Sequence, residues 1–291
     1  MYKSTLFTTA LCRMKQLIPL LVLSFFLACT REEILPLKEI PGRLVMQAEN
    51  NNAWLYTPSS GQQTSFDHGT PLRWAHNGAM IAVYSNPNYR ILLANSQEEI
   101  FRFRKPEMSA LCWSPDDNTL AYTAKNQIVF FHRLSNTFDT ISLPDPYIYD
   151  CGIDWSADGN SLVLAARNTN PYEASILCTV RCDGSHFKIL LTGGFNSFRN
   201  PRFAPNGEDI AFENTYSIQL IRPDGNDVRK FEPSATSPCW SANSEVLMYN
   251  QLRIKTLMSS VSTIMAREIG GDQRERTIYE DRSLIDWAPG E

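Results

Sequence analysis

The chain has 291 residues, is 43% hydrophobic and 20% charged, and carries a formal net charge of -4 at pH 7. This hydrophobic fraction is ordinary for a globular protein and argues against global disorder. The slight acidic excess gives no electrostatic reason for nucleic-acid binding, which needs Lys and Arg clustered on one face, so we expect no nucleic-acid partner.

Residues 1–28 have the pattern of an export signal rather than of a folded segment. A lysine precedes an apolar run over residues 17–28, which suits a signal peptide and is too short to span a bilayer. Met14, directly before that lysine, is an alternative start. The run ends in Phe-Leu-Ala-Cys, which resembles a bacterial lipoprotein box and implies that Cys29 becomes the lipidated first residue. Phe26 stands where Leu is usual, and a cut by the ordinary signal peptidase is the alternative.

Residues 29–41 are charged and contain two prolines, and they are predicted to form a tether between the lipid and the folded domain. A lipidated cysteine implies attachment to a membrane of the bacterial cell envelope, facing the periplasm or the cell surface. Thr30 after the cysteine favours the outer membrane. Because one acyl chain holds a protein only marginally, stable attachment requires a multiply acylated cysteine.

Residues 42–291 are predicted to be one domain built from a repeat. Each unit has a short strand ending in an aromatic residue, a tight turn rich in Pro, Asn, Asp and Gly, and a second, apolar strand. Six such aromatics, spaced by 39, 42, 48, 37 and 47 residues and called the repeat aromatics below, are Trp74, Trp113, Trp155, Phe203, Trp240 and Trp287. A period near 40 is typical of a four-stranded propeller blade.

The two ends of this array complete each other. Residues 43–66 contain three strands of a unit that lacks its first strand, and residues 284–287 form a first strand that lacks the rest. Joined to five complete units, they predict an all-β, six-bladed β-propeller that is closed by pairing of the chain ends. Such closure removes an open sheet edge. We therefore expect removal of the last six residues to open the ring.

The repeat resembles a known family. Trp-Ser-Pro-Asp-Asp at 113–117 and Phe-Ala-Pro-Asn-Gly at 203–207 are similar to the TolB-type, WD40-like propeller repeat of secreted bacterial proteins, whose pattern is Pro-x-Trp/Phe-Ser-Pro-Asp-Gly. The resemblance covers about residues 42–291 and implies a six-bladed, envelope-facing propeller. TolB itself carries an additional N-terminal domain that binds partners, for which residues 29–42 leave no room. Membership of the Tol–Pal machinery is therefore not implied.

The residues directly before the repeat aromatics are candidates for the central channel, because side chains alternate along a strand. In blade order they are Arg73, Cys112, Asp154, Arg202, Cys239 and Asp286. This order places each aspartate beside an arginine of the next blade, which predicts Asp154–Arg202 and Asp286–Arg73 pairs lining the channel. Such pairs are either structural ion pairs, which hold register more surely than they add stability, or part of a ligand site.

Other chemical motifs are missing from the sequence. It has no His-x-x-x-His, Cys-x-x-Cys or Gly-x-Ser-x-Gly pattern, so we expect no metal site, no cofactor and no hydrolase nucleophile. Beyond Cys12 and Cys29 five cysteines remain, and this odd number excludes complete pairing. We expect them to be buried thiols that behave as small apolar residues.

Two long loops, residues 144–149 and 192–200, supply aromatic side chains near one end of the ring. We expect them to form a binding rim consisting of Tyr147, Tyr149, Phe195, Phe198 and Arg199. Aromatic residues and arginine are enriched in binding hot spots, and loops on rigid scaffolds often carry function. Loops of this length also fold over and plug channels, which is the alternative.

Taken together, the sequence favours a monomeric, non-catalytic scaffold in the cell envelope that presents this rim to a protein or a glycan. The alternative is a propeller enzyme, a lyase or hydrolase acting on carbohydrate or peptide at the central channel. An enzyme requires a histidine or a pair of carboxylates to converge within one pocket, whereas a binding module does not.

Overall fold

The computed structural model describes residues 40–288 except 48–51, 67, 105–107, 125, 171, 195–196, 257–258, 271–274 and 281. For some further strand residues, among them Tyr149 and Cys151, only the backbone is described. The predicted signal peptide, Cys29 and nearly all of the tether lie outside these residues. No helix in the described part of the chain is long and apolar enough to span a membrane.

The described residues form 24 strands in six four-stranded antiparallel sheets, which confirms the six-bladed propeller. Blade 6 is composite and begins with β1 (Arg43–Gln47), β2 (Ala53–Thr57) and β3 (Gln62–Phe66). Blade 1 contains β4 (Thr70–Trp74), β5 (Met80–Ser85), β6 (Asn88–Leu93) and β7 (Glu99–Phe103). Blade 2 contains β8 (Met108–Trp113), β9 (Thr119–Ala124), β10 (Gln127–His132) and β11 (Thr137–Ser142).

The remaining strands follow the same order. Blade 3 contains β12 (Tyr147–Trp155), β13 (Ser161–Asn168), β14 (Ser175–Arg181) and β15 (Lys188–Gly193). Blade 4 contains β16 (Phe198–Phe203), β17 (Ile210–Asn214), β18 (Ser217–Ile221) and β19 (Arg229–Pro233). Blade 5 contains β20 (Ala235–Trp240), β21 (Val246–Thr256), β22 (Ser259–Glu268) and β23 (Glu275–Glu280), and β24 (Ser283–Ala288) completes blade 6.

The ring is closed where the sequence predicts it. β24 pairs antiparallel with β1, and the register places Leu44 opposite Trp287 and Gln47 opposite Ser283. The Trp287 indole Nε1 also donates a hydrogen bond to the Pro41 carbonyl, 2.9 Å away. The edge of β1 is therefore covered by the last strand of the domain, so blade 6 has the same four strands as the others.

The repeat motif is explained by its turn. In blade 2 the Ser114 hydroxyl donates to Asp116, 2.6 Å away, and accepts the Thr119 backbone N–H at 2.9 Å. Blade 3 has the same bonds at Ser156, and blade 5 has them at Ser241 with an asparagine in the aspartate's place. The serine and the residue two positions later thus satisfy backbone donors of a turn that joins two buried strands.

Apolar side chains between neighbouring blades form the core. The second strand of each blade is buried on both faces, which is why segments such as Leu120-Ala121-Tyr122 are continuous apolar runs rather than alternating ones. Trp113 is only 1% exposed and packs in one cluster with Tyr122 and Phe131. Five of the six repeat aromatics are buried and Trp240 is partly buried, so these residues pack the first strand of each blade into the core.

A register shift interrupts the first strand of every blade shortly before its repeat aromatic. Such bulges re-aim the side chains that follow them. In β12 the bulge contains Gly152, whose φ is +141°. A Cβ atom at this position would lie 2.6 Å from Cδ of Pro201 in the next blade. The bulges of neighbouring blades thus pack closely against each other at the channel.

Candidate functional site

The six residues before the repeat aromatics, called the central ring below, meet at the centre of the propeller. Both expected neighbouring pairs are present: Arg73 Nη1 lies 3.7 Å from Asp286 Oδ1, and Arg202 Nη1 lies 3.8 Å from Asp154 Oδ1. The side chains of the two arginines are 12% exposed, and those of Asp154 and Asp286 are 16% and 8% exposed. The channel is thus crossed by four largely buried charges.

Each arginine also reaches the second aspartate. Arg73 Nη2 lies 3.5 Å from Asp154 Oδ1, and Arg202 Nη2 lies 3.8 Å from Asp286 Oδ1. In both cases the intervening blade contributes a cysteine, which is short enough to let the guanidinium pass. Two arginines and two aspartates therefore form a closed circuit of ion pairs with no net charge.

Backbone groups fix the second oxygen of each aspartate. Asp154 Oδ2 accepts the Phe203 N–H, and Asp286 Oδ2 accepts the Trp74 N–H, both at 2.8 Å. Burial raises the pKa of both carboxyls, and Arg73 opposes that shift. Burial alone would lower the pKa of Arg73, but Asp286 and Asp154 outweigh it and raise that pKa. The ring therefore holds the blades together through contacts between them, and both carboxylates take part in these contacts.

The two cysteines of the ring are neutral thiols. Cys112 and Cys239 are buried, and burial raises the pKa of each thiol well above its ordinary value. Cys239 Sγ donates to Asp286 Oδ1 at 3.5 Å. Among the cysteines with described side chains, Cys112, Cys178, Cys182 and Cys239 are free thiols. A thiolate is the reactive form of cysteine, so these ring thiols are chemically inert.

Cavities lie on both sides of the central ring. The mouth cavity has a volume of about 530 Å³ and is lined by Leu72, Arg73, Tyr84, Tyr89, Ala110, Leu111, Gly152, Ile153, Asn200, Pro201 and Arg202. Most of these residues precede the ring in the first strands. The turn-side cavity, about 310 Å³, is lined by residues that follow the ring and by all four of its charged residues. The mouth cavity is lined by both ring arginines and, among the described residues, by neither ring aspartate.

A third cavity, called the adjoining cavity, has a volume of about 460 Å³ and shares Leu72, Asn200 and Arg202 with the mouth cavity. Its remaining lining residues are Gln47, Thr236, Ser237, Asn250, Ser283, Leu284 and Ile285. Arg202 therefore lies where two cavities on the same side of the ring meet.

The structure does not assemble the predicted aromatic rim. Phe198 was expected to be exposed, which is wrong: it is 4% exposed, because it is the first residue of β16 and packs against Phe212. Tyr147 is half-buried, and its ring centroid lies 6.0 Å from that of Phe187. Arg199 is exposed, as expected. Phe195 and the side chain of Tyr149 lie outside the described residues.

Sequence reasoning missed a set of polar residues that brace the bulges. Glu213 is buried and accepts the Ser237 N–H of the next blade at 2.6 Å. Asn250 exchanges two hydrogen bonds with the backbone of Leu284 in the following blade, at 2.6 and 2.9 Å. Both occur ten positions after a repeat aromatic. A polar residue that directly follows the apolar run of a second strand is the signal that identifies them.

The same position in blade 1 is occupied by a tyrosine. Tyr84 lines the mouth cavity together with Tyr89, and their ring centroids are 4.9 Å apart. Because tyrosine presents both an aromatic face and a hydroxyl, this pair gives one wall of the cavity an amphipathic surface. Neither residue was identified from the sequence.

A contact between turns links blades 1 and 2 on the other side of the ring. Asp117 is buried and accepts the His76 backbone N–H at 2.7 Å and the Asn77 N–H at 2.9 Å. Its Oδ1 also lies 3.2 Å from His76 Nδ1. Burial alone would lower the pKa of His76, but the hydrogen bond with Asp117 contributes to raising it overall.

Among the side chains that the structure describes, no three His, Cys, Asp or Glu residues are grouped as a metal site requires. The fold and the centre together define a six-bladed β-propeller with an ion-paired core. No protein-family model matches the chain, and no curated protein matches it.

Solved structures of the same architecture do match. The chain is similar to the putative TolB of Agrobacterium tumefaciens, with a TM-score of 0.60 and 14% identity over 83% of this chain and 90% of that one. It is also similar to an oligogalacturonate lyase in complex with manganese, with a TM-score of 0.55 and 15% identity over 83% and 73% of the two chains. A nidogen/laminin complex gives a TM-score of 0.62 and 10% identity over 84% and 97%. At these identities the similarities show that the chain has a propeller fold and that this fold is similar to that of TolB.

Proposed function

We propose that this protein is a non-catalytic binding propeller of the bacterial cell envelope, attached through a lipid on Cys29, which binds a protein or glycan at the face that carries the mouth cavity. One observation supports this proposal above all. Asp154 and Asp286 are each engaged by both arginines and by a backbone N–H group, and of these four charged ring residues Arg73 and Arg202 line the mouth cavity. A general base has to reach the substrate proton, and these carboxylates are committed to the ring instead.

Lipid attachment is tested by replacing the proposed acceptor. In a bacterial host fed a labelled fatty acid, the wild-type chain should acquire the label and sediment with the outer membrane. Cys29→Ser should lose both the label and the membrane association, because the thiol is the acylated group. Cys12→Ser, the matched control within the leader, should behave as the wild type. Retention of the label by Cys29→Ser would contradict the proposal.

Partner binding is tested on Arg199, the exposed arginine of the predicted rim. Arg199→Glu reverses a charge on the strand that leads into the mouth cavity, and Arg181→Glu makes the same change at the end of β14. A partner cross-linked to the wild-type protein in envelope extract should be lost with the first variant and kept with the second. Equal recovery with both variants would refute the mouth-side face as the binding surface.

The alternative is an enzyme acting on carbohydrate or peptide at the channel. The likeness to an oligogalacturonate lyase and the arginine-lined cavity favour it. Lyase and hydrolase activity should be screened with and without a chelator, with Asp154→Asn as the comparison. Activity that is present in the wild type and abolished by Asp154→Asn would establish the enzyme and overturn the non-catalytic proposal.

A further inference from the structure

The two arginines of the central ring occupy equivalent positions in blades 1 and 4 but have different hydrogen bonds. Arg73 donates from Nε to the Leu111 carbonyl at 3.3 Å and from Nη2 to the Ile153 carbonyl at 3.1 Å. Two backbone carbonyls therefore hold its guanidinium in addition to the aspartates. Arg73 is a structural member of the ring.

Arg202 is held more weakly. Its Nε donates to the Pro238 carbonyl at 3.3 Å, which corresponds to the first bond of Arg73. Its two terminal nitrogens lie 3.8 Å from the aspartate oxygens, too far for a hydrogen bond. Nη1 is buried and has no hydrogen-bond acceptor among the described residues. A buried donor without an acceptor is costly, so the ring leaves part of the hydrogen-bonding capacity of the Arg202 guanidinium unused.

The surroundings of Arg202 on the mouth side suit an anion. Neither the mouth cavity nor the adjoining cavity has an aspartate or glutamate among its lining residues. The ring aspartates line the turn-side cavity instead. The adjoining cavity supplies amides and hydroxyls, and Tyr84 and Tyr89 supply an aromatic wall to the mouth cavity. An anion entering from this side meets two guanidinium groups without a facing carboxylate.

We infer that the mouth cavity binds a carboxylate group, with the Arg202 guanidinium as its principal donor. The planar fork of arginine matches the two oxygens of a carboxylate, which gives strong and directional recognition. The cavity volume of about 530 Å³ falls within the range of small-molecule sites. A sugar acid and the C-terminal end of a peptide both carry this group and both fit such a volume. This inference rests on the proposed binding function and names the chemistry of its site.

Two matched ligand pairs test it with the full chain. Glucuronic acid is compared with glucose, and N-acetyl-Ala-Ala with its C-terminal amide, by calorimetric titration and by the shift in thermal midpoint. We expect one acid of the two pairs to bind at least about tenfold more tightly than its neutral counterpart, since a charge-assisted hydrogen bond contributes at least that much. The pair that responds identifies the source of the carboxylate. Equal behaviour of acid and neutral compound in both pairs would overturn the inference.

Variants then assign the binding to Arg202. Arg202→Gln should lower the affinity for the acid that binds the wild type by a factor of at least about ten. Arg222→Gln removes the same charge from the exposed turn between β18 and β19 and should leave the affinity unchanged. If Arg202→Gln does not fold, Arg202→Lys keeps the charge without the fork and should weaken binding by a smaller factor. Unchanged affinity in a folded Arg202 variant would refute the assignment.

The two proposals fail separately. If Arg199→Glu loses the cross-linked partner while neither acid binds the wild type, the carboxylate inference is wrong and the binding face stands. If an acid binds through Arg202 while the partner is retained by Arg199→Glu, the ligand site stands and the proposed partner surface is wrong.

Discussion

The unequal hydrogen bonds of the two ring arginines lead to a quantitative prediction about stability. Arg73→Met and Arg202→Met each replace a guanidinium by a shorter, unbranched apolar side chain, at equivalent positions in the fold. Each leaves the two buried aspartates with one cation instead of two. Breaking a buried ion pair by removal of one partner typically costs about 3–5 kcal/mol. Both variants should therefore be destabilised, but by different amounts.

The difference follows from the contacts. Arg73 makes two hydrogen bonds to backbone carbonyls and has ion pairs at 3.5 and 3.7 Å, whereas Arg202 makes one such bond and has both ion pairs at 3.8 Å. A hydrogen bond from a charged group contributes about 1.5–3 kcal/mol. Arg73→Met should therefore lower the free energy of unfolding by about 2 kcal/mol more than Arg202→Met does. For a domain of this size, that difference lowers the thermal midpoint by about a further 4–8 °C.

Thermal and urea unfolding of the two variants beside the wild type provide the assay. The loss of stability in these variants should also depend on pH. Burial holds the pKa of both ring carboxyls above their unfolded values, and loss of a guanidinium raises them further. A folded-state pKa above the unfolded one means that stability falls as pH rises through the folded pKa. The free energy of unfolding that Arg73→Met loses relative to the wild type should thus be larger at pH 8 than at pH 5. Equal or greater destabilisation by Arg202→Met would refute the reasoning.

Three further predictions concern other parts of the propeller. Gly152→Ala should destabilise the domain by at least about 2 kcal/mol, because a Cβ atom has no space there and the φ angle is unfavourable for alanine. Gly159→Ala has open space around it and should cost only about 1 kcal/mol, and thermal melting of both variants measures the difference. Because Asp117 helps to raise the pKa of His76, the stability advantage of the wild type over His76→Asn should be complete below about pH 6.5 and decline as pH rises through the folded pKa; a constant difference would contradict this. Half-buried Cys182, whose pKa burial raises to about 11, should be alkylated before the two ring thiols in mass-spectrometric labelling of the native protein; earlier labelling of the ring thiols would be the contrary result.

The regular part of the fold could be predicted from the sequence because it is repeated. Six aromatics at similar spacing define six first strands, and the alternation of side chains then places the preceding residue at the centre. The neighbouring pairs Arg73–Asp286 and Arg202–Asp154 follow from blade order alone. The contact of Arg73 with Asp154, two blades away, does not follow from it, because this contact depends on the length of the arginine, the small size of Cys112 and the bulges that re-aim the strand.

The loops were harder to predict because their residues are not repeated. Phe198 follows a glycine-rich segment and was assigned to an exposed loop, yet it begins β16 and fills the core between blades 3 and 4. Loop length does not show where the next strand starts, and a shift of one residue reverses the direction of a side chain. The cavity tyrosines were missed for a related reason. Tyr84 lies in β5 at the position that Glu213 and Asn250 occupy in the second strands of blades 4 and 5, so the equivalence is positional rather than chemical.

The central site and its cavities require a ring of six blades that is closed between β1 and β24. Oxidation of a Gln47→Cys/Ser283→Cys double variant tests this directly, because the two positions face each other in that pair and opposed antiparallel residues lie within disulfide reach. Gln47→Cys with Ser217→Cys in blade 4 is the control. We predict an intramolecular disulfide in the first variant, visible as faster migration on a non-reducing gel, and none between the control positions. Failure of the first pair to cross-link, or cross-linking only between separate chains, would contradict the closed propeller.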